Sequence, residues 1–254
     1  MNSSRNLRTI IITGGSRGIG AEISAAFYDR GDKIVIAART DTGLAKKLGD
    51  RALFIQADLR KSSSAQEVIR ATLDWAGSID VLINNVGISV WRPLAEIDEE
   101  FLQDMFDTNI KSMFYMSQAT APHLKSGGSI VNISSLAGKR GSANNSVYCA
   151  TKFGVNGLTQ SLAKELGQQG IRVNAVCPVY IQTEGLEVAL KEIVSPTAGL
   201  NTEDYLATFA KTQTALGILP TAEQIASACV FLASPAASAI TGQCINVDCG
   251  VMPQ

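Results

Sequence analysis

Short runs of aliphatic and β-branched residues recur along this chain, and several are apolar at every position rather than at alternate ones. "IIIT" at 10–13, "IVIAA" at 34–38 and "VLIN" at 81–84 leave no polar face for water. Such a strand has to be covered on both sides, as happens in a parallel sheet held between two layers of helices. The runs fall at 9–13, 33–38, 52–58, 81–85, 129–135, 172–177 and 244–247. Between them lie stretches such as "GAEISAAFYDRG" and "FLQDMFDTNIKSMFYMSQATAPHL", whose apolar residues recur every three or four positions, the helical repeat. This alternation predicts an α/β chain built on a doubly wound parallel sheet of seven strands, with helices on both faces.

One open sheet of this Rossmann type absorbs all 254 residues, so 1–254 is expected to form a single dinucleotide-binding and catalytic domain. The rhythm breaks once, at 184–220, which is helical in pattern, interrupted by "SPTAG", and has no strand. An excursion of that length between a strand and the next helix is expected to be a substrate lid. Charges of both signs are interspersed and sum to −1, without a basic stripe or amphipathic anchor, which argues against nucleic-acid and membrane partners. The apolar run in "MNSSRNLRTIIITGG" is too short for a signal peptide or a spanning helix. The five cysteines are odd in number, form no CxxC and fall partly in apolar runs, so reduced thiols in a cytoplasmic protein are expected. No metal site is expected, because the single histidine, His123, has no partner at ligand spacing.

"TGGSRGIG" places Gly14, Gly18 and Gly20 directly after the first strand and at the mouth of a helix. Small residues there let the backbone turn tightly and approach a pyrophosphate, whose charge sits at the helix N-terminus. An NAD site usually ends its second strand with an acid that bonds the adenine-side ribose hydroxyls. Here that strand ends "IAART", with Ala37 and Ala38 in that place and then Arg39. A carboxylate would repel a 2′-phosphate, whereas guanidinium groups bind it with charge-assisted bonds, so Arg39 and Arg17 favour NADP(H). Asp41 keeps NAD(H) possible. Asp58 ends the third run, where it touches the adenine edge or caps a helix.

Tyr148 and Lys152, in "SVYCATKFG", stand four positions apart and share one helix face. A phenol with a reference pKa of about 10 is a weak acid–base group near neutrality. A nearby ammonium favours phenolate and is expected to lower that pKa toward working pH, with a cationic nicotinamide adding to the effect. The pair then reads as a proton donor and acceptor for hydride chemistry at a carbonyl carbon.

Three further patches fall at strand ends, "INNVG", "DTNIKS" and "VNISSLAG". Taken in order with "TGGSRGIG" and "YCATK", they resemble the short-chain dehydrogenase/reductase family over essentially the whole chain, with Ser135 thirteen residues before Tyr148 as in that family. The resemblance implies a catalytic tetrad of Asn109, Ser135, Tyr148 and Lys152. It implies that Ser135 holds the substrate oxygen, Lys152 also binds the nicotinamide ribose, and Asn109 supports a water path to Lys152. The cofactor residues it implies are Gly14, Ser16, Arg17, Gly18, Ile19, Gly20, Arg39, Asp58, Leu59, Asn85, Gly87, Pro178, Val179, Ile181 and Thr183, besides Tyr148 and Lys152. A homotetramer is also implied.

Two departures stand out. "CPVYIQT" has Val179 where the family usually has glycine, which restricts the turn near the nicotinamide. "NVDCG" has Cys249 in place of a glycine, a change expected to alter packing of the C-terminal tail. Ser89, Val90, Trp91, Ser135, Leu136, Tyr148, Val179, Tyr180 and the lid are expected to line a mixed apolar substrate pocket, with Arg92 able to meet one carboxylate. The pattern is similar to 3-oxoacyl-carrier-protein reductases. Those dock an acidic carrier with arginines at positions matching Ser126 and Gln169 here, so small ketones, sugars, polyols or secondary alcohols are the expected substrates. A non-catalytic NADP(H)-sensing member is the rival reading, but such proteins typically lose Tyr or Lys of the tetrad.

Overall fold

The structure, a computed structural model, describes residues 7–253. Seven strands form one sheet in the order β3-β2-β1-β4-β5-β6-β7, and every neighbouring pair is parallel. They are β1 (Thr9–Thr13), β2 (Lys33–Ala38), β3 (Ala52–Gln56), β4 (Val81–Asn84), β5 (Ser129–Ile133), β6 (Arg172–Pro178) and β7 (Cys244–Val247). Four differ from the expected runs at their C-terminal ends only. β3 stops two residues before Asp58, β4 before Asn85 and β5 two before Ser135, while β6 runs one further to Pro178. Where pairing ends, the chain leaves the sheet and the terminal residues become available to a ligand.

Alternate residues of each strand feed opposite layers, as period-two geometry requires. Ile10, Ile12, Ile34 and Ile36 pack with Phe27, Ile225 and Leu232 under α1 (Gly18–Asp29) and α9 (Ala222–Leu232). Ile11, Val35 and Leu82 pack the other way, with Val68, Met116 and Leu166 of α3 (Ser62–Ala76), α5 (Ser112–Thr120) and α6 (Ser146–Gly167). Each fully buried aliphatic or aromatic side chain contributes about 1.5–3 kcal/mol, so both faces hold the sheet. α2 (Leu44–Leu48) covers the β2–β3 edge. The strand order reverses between β1 and β4, and a crevice opens beyond the strand C-termini at such a switch point.

The helical stretch at 101–124 is not one helix. α4 (Glu99–Phe106) passes through a π-turn at Asp107–Lys111 before continuing as α5 and ending in a 3₁₀ turn at Ala121–His123. The 184–220 segment carries α7 (Glu184–Leu190) and α8 (Thr202–Gln213), joined by turns. Thr183 caps the first and Asn201 the second by accepting from first-turn N–H groups. Its inner side forms a separate small core of Trp91, Ala189, Leu190 and Leu206, with Tyr180 and Tyr205 against it. Among the described residues no helix is long and apolar enough to cross a membrane, and no group of three His, Cys, Asp or Glu side chains could hold a metal. Cys149, Cys177 and Cys229 are buried, Cys244 and Cys249 half-buried, and all five thiols are free.

Candidate active site

The glycine loop is locked to the neighbouring strand by side chains at the end of β1 and just past β4. Thr13 Oγ1 accepts from the backbone N–H groups of Asn85 (2.9 Å) and Val86 (3.2 Å). Asn85 Nδ2 donates to the carbonyls of Thr13 and Gly14, both at 3.1 Å. Gly14 adopts φ +62°, and a Cβ on Gly20 would collide with the Gly14 carbonyl oxygen, so the loop closes this tightly only with glycine at both positions. α1 begins at Gly18 with no side-chain cap and no acid in its first turn, which leaves its N–H groups and dipole free for an anion. Thr183 stands opposite, its methyl carbon 3.5 Å from where a Gly18 Cβ would lie.

Arg17 and Arg39 are both exposed, and among the described residues neither guanidinium takes part in an ion pair. Asp41 is turned inward on its own loop, accepting from Gly43 N at 2.8 Å. Asp58 is not a helix cap, since α3 starts after Lys61. Its carboxylate is clasped by Arg60 at 2.8 Å, and Arg60 also reaches Asp104 at 2.9 Å. The Arg60 hydrogen bonds hold Asp58 down to about 2, with Arg39 adding a smaller pull. Leu59 is buried beside it, and Ser16 and Ile19 are half-buried in the loop.

Just past the end of β4, Asn109 and Lys152 meet at Gly87. A Cβ placed on Gly87 would lie 3.4 Å from both Asn109 Oδ1 and Lys152 Nζ. Asn109 sits inside the π-turn, a distortion that re-aims one side chain within a helix. Fully buried, it accepts from Ile88 N at 2.8 Å and donates to Ile88 O at 2.9 Å and Thr151 Oγ1 at 3.1 Å. Lys152 Nζ donates to the Ile133 carbonyl at 2.8 Å and lies 5.7 Å from the centre of the Tyr148 ring. Ser135 heads the short turn Leu136–Gly138, its Oγ accepting from Ala137 N at 3.1 Å. That turn is pressed onto α6: a Cβ on Gly138 would lie 2.6 Å from the Lys152 carbonyl oxygen, and Asn156 Nδ2 donates to Gly138 O at 2.8 Å. The glycine in "SSLAG" therefore sets the distance between Ser135 and Tyr148.

Burial reverses the expected titration of the phenol. It pushes Tyr148 up to about 12, against a smaller downward pull from the Ser135 hydrogen bond. Burial also brings Lys152 down to about 8. Desolvation penalises phenolate and ammonium alike, and the ammonium is turned to a backbone carbonyl rather than the phenol. The resting pair is a neutral phenol, ready to donate, beside a lysine poised near neutrality.

Of the pocket candidates, Ser89, Val90, Arg92, Val179 and Tyr180 are half-buried, whereas Trp91 and Leu136 are only 6% and 3% exposed. Tyr180 lies 3.4 Å from Tyr205 between hydroxyls, and its ring meets Phe209 edge-on. Pro178 and Ile181 are buried at the end of β6. Val179 is not among the residues with positive φ, so its backbone needs no glycine and the substitution changes only the side chain. Cys249 does take a left-handed conformation, φ +54°. Sequence reading missed Ile88, Thr151 and Thr13, which position Asn109 and Asn85 through backbone groups or a hydroxyl. No residue-type signal marks the first; Thr151 inside "YCATK" and Thr13 inside "TGG" carried one.

A family model described as enoyl-(acyl carrier protein) reductase matches residues 14–252. The 3-oxoacyl-[acyl-carrier-protein] reductase FabG of Vibrio cholerae is 35% identical over 249 residues, covering 96% of this chain and 97% of that protein. The structure of Thermoplasma acidophilum aldohexose dehydrogenase, ligand-free, superposes with a TM-score of 0.87 at 30% identity, covering 96% and 94% of the two chains. An actinorhodin polyketide ketoreductase solved with NADPH superposes with a TM-score of 0.90 at 30% identity and 98% coverage of each chain. With the glycine loop, the parallel sheet and the Ser135–Tyr148–Lys152 cluster in one crevice, the chain belongs to the short-chain dehydrogenase/reductase family, oxidoreductases that act on carbonyl and hydroxyl groups.

Proposed function

We propose that this protein is an NADP(H)-dependent oxidoreductase interconverting a ketone and a secondary alcohol on a small ketone, sugar or polyol. The observation that carries this reading is the convergence of Tyr148, Ser135, Lys152 and Asn109 beside an uncapped, glycine-lined helix N-terminus. The loop fits a dinucleotide, because the helix that follows it opens with no side-chain cap and no acid in its first turn, leaving N–H groups for a pyrophosphate. When bound, the dinucleotide supplies or takes up the hydride. Tyr148, neutral in its buried setting, gives its proton to the substrate oxygen during reduction and takes it back during oxidation. Ser135 holds that oxygen by hydrogen bonding. Lys152 and Asn109 fix the polar ground behind the phenol. Arg17 and Arg39 receive the 2′-phosphate, and the Asp41 carboxylate stays occupied by Gly43.

The relatives support both a carrier-linked 3-oxoacyl substrate and a sugar. The chain's own surface favours the untethered substrate. Ser126 lies against Gly170, next to Gln169, so the patch pairs a hydroxyl with an amide where a carrier-docking surface carries arginines. The test is initial rates with NADPH and NADH against ketones, aldoses, polyols and an acyl-carrier-linked 3-oxoester. Small carbonyls with NADPH are expected to turn over fastest; preference for the carrier-linked ester moves the reading to 3-oxoacyl-carrier reduction. Arg39→Asp should then lower kcat/KM with NADPH by about 10–100-fold, equivalent to about 1.4–2.7 kcal/mol, with NADH little affected. An unchanged ratio removes the 2′-phosphate assignment.

A further inference from the structure

Two buried polar atoms near the head of α6 have no partner among the described residues, and they are of opposite kinds. Trp91 is 6% exposed, and its Nε1–H is a donor without an acceptor. Asn145 is 5% exposed, and its Oδ1 is an acceptor without a donor. An unpaired polar atom in the interior is costly, so two of them together mark a place where something else supplies the bonds. The Asn145 side chain is also diverted from its usual task. It stands in the capping position of α6, where asparagine ordinarily accepts from an N–H of the first turn, and here it makes no such bond. It lies three residues before Tyr148 and seven before Lys152, so it shares the face of α6 that carries both.

Trp91 reaches the same place from the loop after β4. Arg92 N donates to the Asn144 carbonyl at 2.6 Å. Trp91 and Asn145 each stand one residue from that bond, which puts their Cα atoms no more than about 8 Å apart. The indole ring packs against Ala189, Leu190 and Leu206 of the 184–220 segment. Asn144, at φ +56°, is held in its left-handed conformation by Arg92 and by its own Nδ2, which donates to Val194 O at 3.0 Å. The segment therefore rests on both loops, and a group placed between them is sealed beneath it.

The missing partner has a defined chemistry. A carboxylate or carbonyl oxygen satisfies the indole but meets the Asn145 oxygen acceptor to acceptor. An ammonium does the reverse, and a hydrocarbon chain leaves both atoms unpaired. A hydroxyl accepts and donates at one oxygen, so a single group serves both.

We propose that Trp91 Nε1 and Asn145 Oδ1 form a subsite for a substrate hydroxyl, which directs this chain to hydroxylated ketones and polyols. The hydroxyl accepts from the indole and donates to the amide oxygen, while Tyr148, one turn along the same helix face, meets the reacting oxygen. A site built around such bonds rejects the analogue that lacks the hydroxyl, because its buried atoms are then left unpaired. The same loss falls on a saturated acyl chain. The part the subsite plays in turnover rests on the function proposed above; the binding of a hydroxyl does not.

The test compares initial rates of the full-length protein, with NADPH and with NADH, on acetone, hydroxyacetone, dihydroxyacetone and erythrulose. At least one hydroxyketone is expected to exceed acetone in kcat/KM by more than about 100-fold, and Trp91→Phe and Asn145→Ala each to cut that ratio by about tenfold or more. A wild-type ratio near one, or a ratio that neither variant changes, overturns the proposal and leaves the oxidoreductase reading in place. Binding is read separately by NMR. The chain has two tryptophans, Trp75 and Trp91, so two indole N–H resonances are expected, assigned through Trp75→Phe. Glycerol or ribitol with NADPH, an alcohol and a reduced cofactor that cannot react together, should shift the Trp91 resonance saturably, and isopropanol should not. No shift with either polyol, or an equal shift with isopropanol, overturns the subsite. A polyol shift without turnover of any ketone upholds the subsite and strikes the oxidoreductase reading instead. The wild-type rates and spectra decide the outcome even if the Trp91 and Asn145 variants fold poorly.

Discussion

Asn109, on the floor of the crevice, and Trp91, beneath the 184–220 segment, are both removed from water but are held in different ways. The Asn109 amide is engaged with Ile88 N, Ile88 O and Thr151 Oγ1. The Trp91 indole N–H is buried with no hydrogen-bond partner among the described residues, and the ring is held by apolar contact with Ala189, Leu190 and Leu206. Directional bonds in a low-dielectric interior fix an atom to a few tenths of an ångström, whereas apolar contact fixes volume and tolerates repacking. The outer side of the same segment leaves Val188, Ile193, Leu200, Leu216 and Ile218 more than half exposed. The floor is thus built to place reacting atoms and the 184–220 cover to accept different shapes. One frame can then serve a family whose members bear the names of acyl-carrier reductases and sugar dehydrogenases.

The largest expected effect tests the floor. Tyr148→Phe removes the proposed proton donor and nothing else, so ketone turnover should fall about 10³-fold while NADPH affinity stays within about twofold. Steady-state rates and a fluorescence titration check it, and retained turnover would show that another group supplies the proton. Next comes pH. Lys152 has its pKa lowered to about 8 in the fold. If its ammonium supports catalysis, kcat/KM for reduction should be level below about 8 and fall about tenfold per pH unit above it. Stability should move the other way. Between about 8 and 10.4 the unfolded chain holds more protons at this lysine than the folded one, so stability rises with pH there, by about 3 kcal/mol in all. Urea unfolding of wild type against Lys152→Met isolates that contribution; parallel curves would mean that the lysine is not desolvated. Tyr148, raised to about 12, opposes this trend only above about 10.

Much of the floor could be read from the sequence because its requirements are steric. A strand buried on both faces has to be apolar throughout, and all seven strands begin where the apolar runs begin. Their ends were harder, since Asp58, Asn85 and Ser135 are polar residues lying just beyond the last paired position of their strands, a property of the sheet rather than of the residue. The π-turn at Asp107–Lys111 was hidden for a related reason. Its apolar spacing continues the helix on either side, and only the demand to bring Asn109 onto Ile88 inserts the extra residue. The direction of the Tyr148 shift depended on solvent exclusion by surrounding elements, which i,i+4 spacing does not encode. Trp91, read as a pocket residue, lies in a separate core formed with residues about a hundred positions away.

A smaller effect sharpens the other half of the comparison. Leu206→Ala in that core removes about 2–5 kcal/mol of local packing. The main unfolding transition belongs to the sheet layers, so the loss should fall on the ordering of 184–220. KM for the ketone is expected to rise about tenfold, corresponding to about 1.4 kcal/mol, with NADPH affinity unchanged. Weakened NADPH binding of the same size would show that the cover and the cofactor crevice are one cooperative unit.

The smallest effect concerns the root of that cover. Cys249 carries φ +54°, and its carbonyl accepts from Leu216 N at 3.2 Å, just past α8. Asp248 fixes the turn by accepting from Gly250 N and Met252 N, both at 2.9 Å, so the backbone there cannot relax out of the left-handed region without breaking these bonds. A residue with a Cβ loses about 1–2 kcal/mol in that conformation, whereas glycine loses about 0.5–1 kcal/mol through the freedom of its unfolded chain. Cys249→Gly should therefore raise stability by about 0.5–1 kcal/mol, seen as a higher urea midpoint at unchanged slope, with turnover within about twofold. Cys249→Ala keeps the strained φ and should gain nothing. If both substitutions destabilise equally, the thiol's packing outweighs the backbone strain, and the tail is held as the 184–220 core is, by contact rather than by directional bonds.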